Sequence, residues 1–190
     1  QGHSWGNSQY EWFSNARRQR FRGTSINLDI LTPLLISTGV LTGEGLQSLI
    51  GYNPLGALNN IDLSIVAPPT PDSAGQSDQE TLSEDTDSQL HIAANLKEVS
   101  VSAFDGAPSG SGINGLFLME NGDGSVQFAS DHFTMGFPNL FLGAWAVRYA
   151  EGTVKWQSGD ALTEIFSDGL ILDYSAGGRV FGDFRLSLPD

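Results

Sequence analysis

The chain is 190 residues long, enough for a single domain with a real core. It contains no cysteine, which excludes disulfides, thiolate metal sites and cysteine nucleophiles. Its net charge of −13 comes from 9 Lys and Arg against 22 Asp and Glu, and such a surface repels phosphate backbones, so no nucleic-acid partner is expected.

The charge is unevenly placed. Arg17, Arg18, Arg20 and Arg22 stand against Glu11 alone in the first 22 residues, while almost all of the acidic side chains follow later. The same leader holds Trp5, Tyr10, Trp12, Phe13 and Phe21. Residues 1–23 are therefore expected to be a basic, aromatic arm, and 24–190 a single β domain. Ser8-Gln9-Tyr10-Glu11 fits a capping box, which predicts a short helix from Gln9. Gln1 is not a translation start, so the sequence predicts a mature end left by signal-peptide removal and a secreted or cell-surface protein. No apolar run approaches the ~20 residues that span a bilayer.

Residues 24–41 are expected to be strand: Ile26, Leu28 and Ile30 alternate with Asn27 and Asp29, Pro33 interrupts, and Leu34 to Ile36 resume. Leu46, Leu49 and Ile50 are spaced as helical turns, and Asn53-Pro54 stops them, so one short helix is expected near 44–51. Ile61, Leu63 and Ile65 alternate as a strand. Composition then changes. Residues 68–89 carry Asp72, Asp78, Glu80, Glu84, Asp85 and Asp87 with no Lys or Arg, which predicts a solvated acidic loop.

Leu90, Ile92, Ala94 and Leu96 share one phase, whereas Val99, Val101 and Ala103 share the other. A β-bulge near Lys97-Glu98 reconciles them. Residues 106–112 read as a Gly/Ser/Pro loop. Asn121-Gly122 between two apolar runs predicts a hairpin over 115–129. From Trp145 onward short strands recur, with turns expected at 150–152, 158–160, 167–169 and 176–178. About ten strands result. The fold class is thus all-β, an antiparallel β-sandwich or partly closed barrel.

No catalytic constellation stands out, so no enzymatic activity is expected. The histidines, His3, His91 and His132, carry no Ser-His-Asp signature, and there is no Gly-x-Ser-x-Gly elbow. Glu120, Glu151 and Glu164 are the carboxylates a glycosidase would need, but no pair is defined. No cofactor is expected. Calcium is the one candidate ion, because the available donors are oxygens and Asn121-Gly122-Asp123-Gly124 echoes part of an EF-hand loop. Trp145, Tyr149 and Trp156 suit either a carbohydrate platform or a core. The charge division favours an extracellular assembly protein, a filament, fibre or matrix subunit. Its arm, through Trp5, Tyr10, Trp12, Phe13, Phe21 and the four arginines, would dock head-to-tail on the acidic loop of another copy. The alternative is an extracellular carbohydrate-binding module or glycan-active enzyme, and a carrier with an apolar interior is a third reading.

Overall fold

The computed structural model describes residues 8–38, 43–67, 89–139, 141–159, 161–174 and 177–189. Trp5, His3 and the acidic residues Asp72, Asp78, Glu80, Glu84, Asp85 and Asp87 lie outside them. The expected all-β, antiparallel, sandwich-like fold forms, with twelve strands among the described residues joined in one sheet that is not closed.

The elements in chain order are β1 (Tyr10–Ser14), β2 (Arg18–Asn27), α1 (Leu28–Thr38), α2 (Gly43–Tyr52), β3 (Leu55–Val66), β4 (Gln89–Val101), β5 (Ser109–Glu120) and β6 (Asp123–Asp131). There follow β7 (Thr134–Gly136), β8 (Trp145–Ala146), β9 (Tyr149–Ser158), β10 (Leu162–Asp173), β11 (Arg179–Gly182) and β12 (Arg185–Pro189). The main path runs β1-β2-β3-β4-β5-β6-β9-β10-β11. β12 lies beside β10 next to β11, and the short β7 and β8 pair with each other at the end of β5.

The short helix expected from Gln9 does not form. Tyr10–Ser14 is a strand paired antiparallel with Gln19–Gly23, and β2 continues across the expected border at residue 23 to Asn27. The capping-box pattern is local, and alternating aromatics with a partner strand at hand outweigh it. Asn15 closes the hairpin by accepting from the backbone N–H groups of Arg17 and Arg18 at 3.0 and 2.7 Å.

Of the strand expected over 24–41, residues 24–27 belong to β2 and Leu28–Thr38 is α1 instead, with 39–41 outside the described residues. Asn27 caps α1, its Oδ1 accepting from Asp29 N at 2.8 Å. Leu28 and Thr32 are buried, Leu31 and Leu35 half-buried, and Asp29, Pro33 and Ile36 exposed, a helical spacing that the 26/28/30 alternation hides. The helix expected near 44–51 is α2. Its Tyr52 ring meets Phe104 edge-on at 5.4 Å.

The bulge expected near Lys97-Glu98 is present. Glu98 has φ +49°, and the β4–β5 register shifts between Leu96 and Val99. Asn114 holds it from β5: its Oδ1 accepts from Glu98 N at 3.0 Å and its Nδ2 donates to Glu98 Oε1 at 2.8 Å. Asn121 and Gly122 form the expected two-residue turn between β5 and β6, with φ +52° and +96°, the left-handed pair that favours Asn-Gly.

The other turn signals divide. Gly159 closes the β9–β10 hairpin, and Gly177 and Gly178 close the one between β10 and β11. Ala150-Glu151-Gly152 instead lies inside β9, and Ser167-Asp168-Gly169 inside β10, where the register shifts between Asp168 and Ile171. Glycine there marks a bulge, not a reversal. Likewise, Ser109 to Gly112 of the expected loop is the start of β5.

A cluster of buried core residues sits in the C-terminal half, while Leu28, Ile61, Ala94 and Val99 are buried outside that cluster. Phe128, Ala150, Leu170 and Leu172 from β6, β9 and β10 pack with Met135 of β7 and with Phe133, Phe137 and Val147 from the connections around it. Phe128 and Phe133 stack at 5.1 Å. Burying such rings contributes roughly 1.5–3 kcal/mol each.

Candidate functional site

Register alone divides the sheet into two unlike faces. Paired residues point to the same side, so a row can be followed from strand to strand. One such row reads Trp12, Phe21, Leu63, Ile92, Met119, Gly124, Trp156, Ile165 and Leu186. Every member is apolar except Gly124, and the Trp156 ring lies over that glycine. The adjacent row on the other face reads Glu11, Arg22, Asp62, Ala93, Leu118, Ser125, Lys155, Phe166 and Arg185.

The second face carries the ion pairs. Arg20 grips Asp62 with two hydrogen bonds, through Nε to Oδ1 at 2.8 Å and through Nη2 to Oδ2, and Arg22 lies 3.5 Å from the same carboxylate. The Arg20 hydrogen bond holds the Asp62 carboxyl below its ordinary range, with the charges of Arg20 and Arg22 adding to it against some desolvation. Lys155 pairs with Asp168 and Arg185 with Glu164, both at 3.3 Å. Arg20 and Arg22 thus answer an acid of their own sheet, Asp62, which the charge pattern did not single out. The reason is local: Asp62 sits in an alternating strand between Ile61 and Leu63 and not in an acidic run.

The main path of the sheet ends in two outer strands, β1 and β11, with β12 in line with β11 along β10. Among the described residues, neither β1 nor β11 has a second neighbour. On β1, Trp12 is 61% and Phe13 57% exposed; on β11, Val180 is 48% and Phe181 67% exposed. Trp12 leans on Phe21 with ring centres 6.4 Å apart, and Tyr10 stacks on Phe21 at 5.8 Å. β11 is fixed to β10 by a fork, Arg179 Nε and Nη2 donating to Asp173 at 2.6 and 2.9 Å. That hydrogen bond, followed by the charges of Arg179 and Arg148, holds the Asp173 carboxyl below its ordinary range. Beside β11 lies an apolar groove of about 320 Å³, lined by Phe137, Phe141, Trp145, Val180 and Phe184 among others.

The structure therefore collects Tyr10, Trp12, Phe13, Arg18, Arg20, Phe21 and Arg22 in one hairpin, with Arg17 in its turn. The sequence reading missed the opposite edge. Its signal in the sequence is an Arg-Val-Phe-Gly strand without lysine or proline.

Comparison with protein families, with curated proteins and with solved structures finds no match.

The remaining chemical candidates are occupied by structural roles. Trp145 packs against the core and within 5.5 Å of Phe137. Trp156 Nε1 donates to Gly122 O at 2.7 Å. Tyr149 donates its hydroxyl to Glu151 at 2.6 Å, a bond that raises the phenol's pKa. Glu151 and Glu164 so engage separate partners, and Glu120 ends β5 opposite Asp123. His132 sits at φ +55° with its backbone N–H bonded to Arg148 O, and His91 lies in the polar face between Ser64 and Glu120. Asn121-Gly122-Asp123-Gly124 is the hairpin turn itself, with Asp123 Oδ1 accepting from Ser158 N at 2.8 Å. Among the described residues no group of three or more His, Asp or Glu is arranged to hold a metal, and no helix is long and apolar enough to cross a membrane.

Proposed function

We propose that the chain is an extracellular structural protein, a subunit of a filament, fibre or matrix that assembles with copies of itself through its N-terminal hairpin. One observation carries the reading: among the described residues, both ends of the sheet's main path are strands with no second neighbour, and both present large apolar side chains. An open strand offers a row of unpaired N–H and C=O groups, and another chain can extend the sheet there. Soluble monomers ordinarily protect such edges with lysine, proline or a bulge. Neither β1 nor β11 contains one of those devices. Two different edges at opposite ends make a head-to-tail contact, which grows into an open polymer unless it closes into a ring.

The residues that face a neighbour are then fewer than the whole leader. Arg20, Phe21 and Arg22 belong to β2 and are committed to β3 of their own sheet. Tyr10 to Ser14 remain available on one side. The test is to compare the full chain with Trp12→Lys/Phe13→Lys by sedimentation and electron microscopy. Polymer from the parent and monomer from the variant support the proposal. A parent that stays monomeric at high concentration, or a variant that assembles like the parent, removes it.

A further inference from the structure

We infer that β1 of one copy pairs in parallel with β11 of the next, with Glu11 beside Arg179 and Phe13 beside Phe181. This deepens the assembly reading above and rests on it.

Strand direction sets the first part. Nine strands lie on the main path, and each neighbouring pair is antiparallel. The first and the ninth therefore run the same way. A copy added at the end of the sheet in the same orientation brings its β1 parallel to β11. The antiparallel alternative with matched faces joins like edges, β1 to β1 or β11 to β11.

Face matching sets the second part. Trp12 belongs to the apolar row. Ala150 shares the side of Trp156 on β9, pairs with Leu172, and Leu172 pairs with Val180. Val180 is thus on the same side as Trp12, and it lines the apolar groove. Glu11 and Phe13 share the other side with Arg179 and Phe181. Setting Trp12 beside Val180 joins the two apolar faces and brings the indole to the lining of the groove.

Charge selects the register. Trp12 beside Val180 puts Glu11 next to Arg179 and Phe13 next to Phe181. Moving two residues one way puts Phe13 against Asp183, and moving the other way leaves Glu11 without a cation. Glu11 has no ion-pair partner among the described residues. The Arg179 side chain is 57% exposed, and its fork to Asp173 uses Nε and Nη2 but not Nη1. A ladder of four or five residues is short, so the contact forms at high protein concentration and weakens with salt.

The chain has no cysteine, so single cysteines can be placed without background. Full-length Phe13→Cys and a size-tagged Phe181→Cys are mixed, assembled and treated with a short bis-maleimide. A mixed cross-linked dimer as the main product is the expected result. Ser14→Cys mixed with Phe181→Cys is the control, and it should cross-link at least several-fold less because those side chains lie on opposite faces. Like-with-like dimers as the main product, or equal cross-linking by the control, overturn the pairing while polymers seen by microscopy leave the assembly reading intact. If the parent forms no species larger than a monomer, both fall together.

Discussion

Arg20 reaches diagonally from β2 to Asp62 on β3 and closes two hydrogen bonds on it, while Arg22, the residue directly opposite Asp62, approaches from the side. A leader that looked detachable by composition is joined to its own sheet by the pairing of β2 with β3, and this one acid adds a side-chain clasp to that pairing. The same acid makes the fastening sensitive to pH.

The Asp62 and Asp173 carboxyls both ionise below their ordinary value because arginines hydrogen-bond to them. A carboxyl whose folded pKa is lower than its unfolded one contributes stability above the unfolded value, near about 3.9, and loses it as pH falls through the folded value. Stability is therefore expected to decline on acidification below about pH 4. Asp62→Asn should flatten that acid limb in urea titrations and speed amide exchange at Phe21 and Leu63. An acid limb identical to the parent's would show that the pair contributes nothing.

Asn121 bonds twice with Leu90: its N–H donates to Leu90 O at 2.9 Å and its Oδ1 accepts from Leu90 N at 2.8 Å. It also sits at φ +52°. Asn121→Ala keeps the positive φ without the side-chain acceptor, and should cost about 1–3 kcal/mol in a denaturant titration. Asn121→Gly loses the acceptor but not the backbone freedom, and should cost less than the alanine variant. An equal loss for the two would mean that φ strain is not what selects asparagine.

Gly124 leaves the space that the Trp156 ring fills. An added Cβ would stand 2.2 Å from the ring and 2.7 Å from Leu118 O. Gly124→Ala should destabilise by about 1–3 kcal/mol and displace the indole, which tryptophan fluorescence reports. An unchanged emission spectrum with unchanged stability would contradict the close approach.

Phe133 is 2% exposed and stacked on Phe128, whereas Trp12 is mostly in solvent. Phe133→Ala should cost about 3–5 kcal/mol. Trp12→Ala should cost the isolated subunit less than about 1 kcal/mol and act on association instead. Thermal melts of dilute protein compare the two; equal losses would place Trp12 in the fold and not at an edge.

Much of the strand content was legible because it is written in local pattern. The phase change between Leu96 and Val99 required a bulge, and Asn121-Gly122 required a turn, since few other backbone conformations suit those residues. Helix α1 was not legible, because Ile26, Leu28 and Ile30 satisfy period two before Leu31, Thr32 and Leu35 reveal a helical face. Gly152 and Gly169 read as turns because glycine serves bulges and reversals alike, and only the pairing of β9 with β10 separates the two.

The aromatic and basic character of residues 10–22 is visible without any coordinates. Where those side chains go is decided by hydrogen bonding between strands far apart in the chain, which places Phe21 beside Leu63 and Arg22 beside Asp62. Composition and periodicity are properties of neighbouring residues. An open edge is a property of which strand lacks a partner, and that emerges only once the whole sheet has been ordered.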